Sequence, residues 1–141
     1  MPRSNELRIE VYWMKAIYMN AWGYQGDAMN LPARDVQASV PFYEKVFGFH
    51  VESSTPSSQH RVVLARDDVR IALAENGGDP EQDGCAFEVT DVAAAHAELK
   101  ANGLEKLGDP KIEKRDDGSE WKAFFVVAPD GLCFWIGERI A

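Results

Sequence analysis

The sequence predicts an α+β fold made of two tandem βαβββ modules, whose mostly antiparallel sheets surround a shared cavity. The first observation is an internal repeat: a short alternating segment that ends at an aspartate occurs at 28–35 and again at 84–91. The second is a helical apolar pattern after each copy, closed by glycine and an apolar residue. The third is a series of alternating segments after each helix, which is typical of strands.

Both helix patterns begin after the aspartate of the repeat. The apolar face of the first is formed by Val36, Val40, Tyr43 and Phe47. Pro41 leaves two alternatives for the start of this helix. Either Asp35 caps it and Pro41 kinks the second turn, or Ser39 caps it and Pro41 lies in the first turn. Gly48 suits a left-handed cap at its end, and the second helix is expected from about 91 to 102.

Five alternating segments predict the strands that follow the helices. They are 48–54, 60–66 and 69–75 in the first half, and 121–128 and 132–138 in the second. The turn-forming residues 76–80 are the expected linker. One domain, 26–138, would therefore contain module 1 (26–75) and module 2 (82–138). Residues 1–25 stand outside the repeat and form either an N-terminal arm or an extra strand.

Composition and charge narrow the function classes. A chain of 141 residues with 45% hydrophobic content can bury one compact core. Its net charge of −8, with no basic stripe, argues against nucleic acid and membranes as partners. Two cysteines are too few for a disulfide framework, and the N-terminal residues lack the apolar core of a signal peptide. With no apolar run of membrane-spanning length either, the expected location is the cytoplasm.

Three segments carry a resemblance to a known family. DVQASVPFYEKVFGFHV at 35–51 resembles the family signature Asp-x-x-x-Ser-x-x-Phe-Tyr-x-x-x-Leu-Gly-Phe, with phenylalanine replacing the usual leucine. CAFEVTDVAAAHAELKANG at 85–103 is similar to its second strand and helix, and APDGLCFWI at 128–136 to its Asp-Pro-Asp-Gly hairpin. The chain is thereby identified as a member of the glyoxalase / bleomycin-resistance / extradiol-dioxygenase (vicinal oxygen chelate) superfamily, which implies the fold of that name.

The resemblance also implies four metal-ligand positions on the concave face of the joined sheets. Carried over by motif, they fall on Ala28, Ala72, Gly84 and Trp135. A metal needs N, O or S donors that converge on one point, and none of these side chains supplies one. We therefore expect no bound metal and no cofactor.

The concave face should extend beyond those positions, because side chains two residues apart on a strand share a face. The candidate ligand-binding residues are Asn30, Arg61, Arg70, Glu88, Lys122, Phe124 and Trp135. Such a face would be mostly apolar with a few charges, which is typical of small-molecule sites. Trp135 either stacks on the ligand or only fills the volume left by the missing metal ligand. A register error of one residue would change the set.

The cysteines and histidines receive structural rather than catalytic interpretations. Cys85 is one residue from a ligand position, so its side chain should face the helix-covered core as an inert thiol. Cys133 shares the parity of Trp135 and would line the cavity as a small side chain. The three histidines, His50, His60 and His96, are scattered over two strand starts and a helix.

Three functions remain open, and whether the protein is an enzyme is one of the questions. The leading hypothesis is a metal-free protein that binds a small organic molecule, similar to the bleomycin-resistance branch that sequesters antibiotics. The alternatives are a metal-dependent glyoxalase-type lyase or extradiol-type dioxygenase, and a non-enzymatic regulatory or assembly module. A homodimer is expected, because relatives of this module count pair and because Trp13, Tyr18 and Trp22 lack an obvious intramolecular partner.

Overall fold

The computed structural model describes residues 15–55 and 60–141. Along the chain its elements are β1 Tyr18–Gly23, β2 Leu31–Pro32, α1 Val36–Lys45, β3 His50–Thr55, β4 Arg61–Arg66, β5 Val69–Ala74, a 3-10 turn Pro80–Gln82, β6 Gly84–Val89, α2 Val92–Ala101, β7 Lys111–Lys114, β8 Glu120–Val127 and β9 Cys133–Arg139. Within these described ranges, neither α-helix has the length and apolar composition needed to cross a membrane.

The strands form two sheets. The four-stranded sheet has the order β2-β5-β4-β3, and the five-stranded sheet has the order β1-β6-β9-β8-β7. In each module the first strand runs parallel to the last, β2 to β5 and β6 to β9, and the other pairs are antiparallel. The predicted α+β class with mostly antiparallel sheets is confirmed.

Strand β1 lies before the repeat and joins the sheet of the second module. It pairs antiparallel with β6, with Trp22 opposite Ala86. At its start, the backbone N–H of Tyr18 donates to Asp67 Oδ2 in the turn between β4 and β5, at 2.9 Å. This strand therefore contacts both modules, and it belongs to the stretch for which the sequence predicts an arm or an extra strand.

The two helices begin in the same way. The side chain of Asp35 accepts a hydrogen bond from the backbone N–H of Ala38, and Asp91 does the same at the start of α2. Of the two sequence alternatives for α1, the cap at Asp35 is therefore correct, and Pro41 lies inside the helix beyond its first turn. Gly48 has a φ of +72°, the left-handed conformation that a glycine after a helix adopts without strain.

One hydrophobic core joins the modules through the helix-covered sides of both sheets. Phe47 after α1 packs edge-on against Phe134 of β9, with ring centroids 5.2 Å apart. Phe87 of β6 stacks on Phe134 at 5.4 Å. Tyr18 is 1% exposed and packs against Phe87 and Phe49, so the expectation that it lacks an intramolecular partner is wrong. Aromatic pairs of this kind add roughly 1 kcal/mol each beyond the area they bury.

Candidate functional site

The five-stranded sheet has a helix-covered face and an opposite face. Cross-strand pairs place Ala86, Trp135 and Phe125 side by side on the opposite face, since directly paired residues point the same way. Their neighbours Phe87 and Ile136 lie in the core. We call the side that carries Ala86, Trp135 and Phe125 the open face. Trp22 of β1 belongs to it as the partner of Ala86.

Two adjoining cavities occupy the open face. The first, of about 300 Å³, is lined by three tryptophans, Trp22, Trp121 and Trp135, together with the turn between β7 and β8. We call it the tryptophan cavity. The second, of about 390 Å³, shares Trp22 and Trp135 with the first and adds Tyr24 and Phe125. Cavities of this size suit small organic molecules, which bind mostly by apolar and aromatic contact.

Trp135 is held in one orientation from two sides. Its indole Nε1 donates to Glu113 Oε2 on β7 at 2.7 Å. The ring lies over Gly137, where a Cβ would collide with it, so the strand needs glycine at that position. Trp121 packs edge-on against Trp135 with ring centroids 5.5 Å apart. The aromatic wall of the cavity is therefore ordered by the protein itself, before any ligand binds.

The turn between β7 and β8 forms the rim of the tryptophan cavity. The backbone N–H of Arg115 donates to Ser119 O at 2.8 Å, and Gly118 closes the turn with a φ of +86°. Ser119 Oγ accepts from Trp121 Nε1 at 2.9 Å and donates to Asp117. The hydrogen bonds that Asp117 accepts from the side chain and from the backbone N–H of Ser119 hold its pKa below its usual value. The turn thereby fixes the edge of Trp121.

Arg115 reaches from this turn across the open face. Its Cζ lies 4.7 Å from the centroid of the Trp135 ring, a cation-π contact. Arg115 lines both cavities. Its guanidinium is thus the cationic group that any ligand stacked on Trp135 would meet.

In the second module, two of the four expected ligand residues lie on the open face. Trp135 lines both cavities, and Glu88 accepts a hydrogen bond from Asn20 Nδ2 at 2.7 Å on the same side of the sheet. The expected placement of Phe124 is wrong: it is 1% exposed and packs edge-on against His96 of α2 at 5.0 Å.

The expected placement of Lys122 is also wrong. It pairs with Glu138, whose carboxylate accepts from the backbone N–H of Val92 at the start of α2, so both lie toward the helix. The cause is the connection 128–132, which pairs Val127 with Cys133 and shifts the register by one residue from the one expected. A one-residue shift moves every side chain of β8 to the other face.

In the first module, the expected ligand residues lie apart from these cavities. Arg61 donates through Nε and Nη2 to the carbonyl of Met29, at 3.3 and 3.0 Å. Arg70 is exposed and forms an ion pair with Glu52 at 2.8 Å. Asn30 accepts a hydrogen bond from Asn76. Neither cavity at Trp135 is lined by any of these three expected residues, Asn30, Arg61 and Arg70.

The residues at the four positions that the resemblance assigns to metal ligands do not fit a metal ion. A Cβ on Gly84 would collide with the backbone of Cys133, which leaves no room for a histidine. Ala72 is fully buried and hydrogen-bonds through its backbone to Ala28. Neither cavity at Trp135 is lined by Ala28 or Ala72. Across residues 15–55 and 60–141, no three His, Cys, Asp or Glu side chains are grouped so that they could hold a metal.

The two cysteines have different environments. Cys85 is fully buried in the core, as expected, and burial raises the pKa of its thiol to about 12. Cys133 is half-buried and faces the open side beside Tyr24. Burial, and after it the Cys133 thiol, raise the pKa of the Tyr24 phenol. The environment of Cys85 does not activate a nucleophile, because an activated thiol needs a lowered pKa.

A third cavity, of about 260 Å³, lies at the start of α1. Its polar groups mostly bond to one another: Ser39 Oγ donates to Asp130 at 3.0 Å, and Asp35 caps the helix. The buried hydroxyl of Tyr43 has no partner among the described residues. This third cavity is lined by fewer aromatic side chains than the cavities of the open face, and it has no cation-π contact among its described residues. The open face is therefore the stronger candidate site.

Several residues of the open face were not predicted from the sequence, among them Trp121, Phe125, Trp22 and Arg115. Trp121 and Phe125 are four residues apart on β8 and share a face, but the shifted register hid them. Trp22 lies before the repeat, and Arg115 lies in a turn, where alternation gives no information. Correct pairing of the β8–β9 hairpin would have identified the first two.

Solved structures show the same fold. A bleomycin-binding protein complexed with bleomycin is 25% identical, with a TM-score of 0.61, over 80% of this chain and 97% of that chain. The bleomycin-binding protein of bleomycin-producing Streptomyces verticillus, complexed with copper(II)-bleomycin, is 22% identical, with a TM-score of 0.58, over 77% and 90%. TnmS3, an antibiotic-binding protein from Streptomyces sp. CB03234, is 18% identical, with a TM-score of 0.64, over 79% and 93%.

The sequence itself carries the family assignment. No curated protein matches this chain in sequence. The sequence model of one superfamily matches residues 26–132, a span that includes both copies of the repeat and both helices. The chain belongs to the Glyoxalase/Bleomycin resistance protein/Dioxygenase superfamily.

Proposed function

We propose that this protein binds a small, planar organic molecule in the tryptophan cavity and holds it without altering it. The observation that carries the proposal is the convergence of Trp22, Trp121 and Trp135 on one cavity of about 300 Å³. Indole faces stabilise flat ligands by stacking and by burying apolar surface. The likeness in fold to two bleomycin-binding proteins and an antibiotic-binding protein supports the same kind of role here.

The rigidity of the aromatic wall favours binding. Trp135 is fixed by Glu113 and by its position over Gly137, and Trp121 is fixed by Ser119. A site whose side chains are already ordered loses less conformational entropy when a ligand binds. Sequestration of a ligand requires affinity but no catalytic groups. The ordered aromatic side chains of the open face favour such affinity.

A metal-dependent lyase or dioxygenase would need a Lewis acid to polarise oxygen atoms of its substrate. The side chains at Ala28, Ala72, Gly84 and Trp135 provide no donor for one. We therefore propose a metal-free site, and elemental analysis of the purified protein decides between the two functions.

We also propose that the protein is a homodimer in which a second copy covers the open face. Four apolar or aromatic side chains there are about half exposed: Trp22 48%, Tyr24 45%, Phe125 49% and Val127 46%. A continuous apolar patch of this kind is unusual on a monomer and marks an interaction surface. The partner would also close the tryptophan cavity on the side that now faces solvent.

The binding proposal is tested by calorimetric titration and thermal stabilisation with planar aromatic compounds, bleomycin among them. We expect a ligand that stabilises the wild type, and about tenfold weaker binding in Trp135→Phe and Trp121→Phe variants. Ile112→Ala is the matched control, because Ile112 is 57% exposed on the other face of β7. Ligands whose affinity is unaffected by both tryptophan substitutions would contradict the proposed site. Mass spectrometry of molecules released from purified protein would identify a natural ligand.

A further inference from the structure

We propose that the ligand of the tryptophan cavity is a planar aromatic acid whose anionic group binds Arg115. This inference rests on the proposed binding function and adds a charge to the expected ligand. The chemical class is an aromatic carboxylate or sulfonate.

The position of Arg115 supports an anionic ligand. The guanidinium lies over the ring of Trp135 at 4.7 Å, and Arg115 lines both cavities of the open face. Contact with an aromatic face does not use the in-plane N–H groups of a guanidinium. Those donors can still form the paired, charge-assisted hydrogen bonds that carboxylates and sulfonates accept. A ligand ring could therefore occupy the space beside Trp22 and Trp121 while its acidic group reaches Arg115.

The carboxylates around the site already have donors. Glu113 accepts from Trp135, Glu88 accepts from Asn20, and Asp117 accepts from the backbone and side chain of Ser119. Lys114 is paired with Glu120 at 3.3 Å.

Arg115, in contrast, has no ion pair with a carboxylate of the described residues. Arg139, which pairs with Trp121 across β8 and β9, lies on the same face, but its Nε donates to the carbonyl of Ala141 at 3.3 Å. The guanidinium donors of Arg115 are therefore still available to an acidic group of a ligand.

The overall charge of −8 acts in the opposite direction, since it repels an anion that approaches from a distance. Salt at physiological concentration screens charges beyond about 8 Å, whereas a hydrogen-bonded anion lies within 3 to 4 Å of its partner, roughly. The local guanidinium therefore decides the affinity, and the net charge mainly slows association.

The test compares three probes that share one ring system and differ in charge: 2-naphthoate, 2-naphthylmethanol and 2-naphthylmethylammonium. Calorimetric titration at neutral pH should give the acid the highest affinity, about tenfold above the alcohol, and the amine the lowest. Arg115→Gln should lower the affinity for the acid about tenfold and leave the alcohol within about twofold. Arg115→Lys keeps the charge and loses the paired geometry, so its loss should be intermediate. Arg34→Gln, on a surface ion pair away from both cavities, is the control.

The outcomes separate the two proposals. An acid that binds no more tightly than the alcohol, or an Arg115→Gln variant with unchanged affinity for the acid, would overturn the inference and leave the binding function standing. Failure of all three probes and of every other planar compound would overturn the binding function itself. Circular dichroism of each variant confirms that the comparison is made on folded protein. Arg115→Lys retains a long cationic side chain. Its affinity for the acid therefore tests the inference even if Arg115→Gln disturbs the turn.

Discussion

The Arg66 guanidinium on β4 donates two hydrogen bonds to the Glu98 carboxylate on α2, of 2.6 and 2.8 Å. The two side chains are only 8% and 14% exposed, and they belong to different modules. Arg66 also donates to the carbonyls of Phe47 and Ala16 and lies over the ring of Tyr18 at 4.2 Å. The modules are therefore held together by a directional polar contact as well as by the shared aromatic core.

Removal of the Arg66 charge should destabilise the fold strongly. In Arg66→Gln, the largely buried Glu98 carboxylate would lose its charged partner, which costs about 3 kcal/mol. Urea unfolding, followed by circular dichroism, measures the loss. Arg34→Gln breaks an ion pair whose side chains are 62% and 48% exposed, and it should cost less than about 1 kcal/mol. Equal stability losses in the two variants would contradict this account of the module interface.

Gly137→Ala should damage the open face from within the sheet. The added Cβ collides with the Trp135 ring, so the indole must turn and lose its hydrogen bond to Glu113. We expect a loss of roughly 1 to 3 kcal/mol in stability, together with a changed tryptophan fluorescence spectrum. Gly108→Ala is the matched control, because a Cβ there would make only ordinary contacts, at 3.9 Å. A Gly137→Ala protein with native stability and native fluorescence would show that Trp135 is less constrained than described.

Cys85 should resist thiol reagents in the native protein. Burial raises the pKa of its thiol to about 12, above the ordinary value, so the protonated form prevails at every pH below that. At pH 8 on the order of one thiol in ten thousand is the reactive thiolate. A Cys133→Ser variant isolates Cys85, and we expect no labelling by a disulfide reagent at pH 8 until the protein is unfolded in urea. Rapid labelling of this native variant would refute the buried placement.

Purified protein should contain no stoichiometric divalent metal. The four positions that the family resemblance assigns to metal ligands carry Ala28, Ala72, Gly84 and Trp135. Inductively coupled plasma mass spectrometry after mild purification, without chelator, gives the metal content per chain. A value near one zinc, nickel, iron or manganese ion per chain would restore the lyase or dioxygenase hypothesis.

Local features of the fold could be predicted from the sequence, and distant pairings could not. Asp91 identifies the start of the second helix because a cap depends on residues three positions away, whereas Pro41 left the first cap open between Asp35 and Ser39. The sequence places Trp135 on the face of the sheet away from the helices, as the structure does, because the strand alternation around it is strict. Phe124 was misplaced because its face depends on how the 128–132 connection sets the β8–β9 register. Arg115 lies in a turn and contacts Trp135 on a different strand, and no sequence period encodes that contact.

β1 pairs with β6, although the first module lies between these two strands in the sequence. β1 can therefore join the five-stranded sheet only after this long connection has closed. The pairing of Trp22 with Ala86 is thus a contact of long sequence separation, and contacts of this kind slow folding because a large loop must close first. Until that loop closes, β6 is an unprotected sheet edge. The five-stranded sheet, which carries the candidate binding site, is therefore expected to acquire its last strand late in refolding.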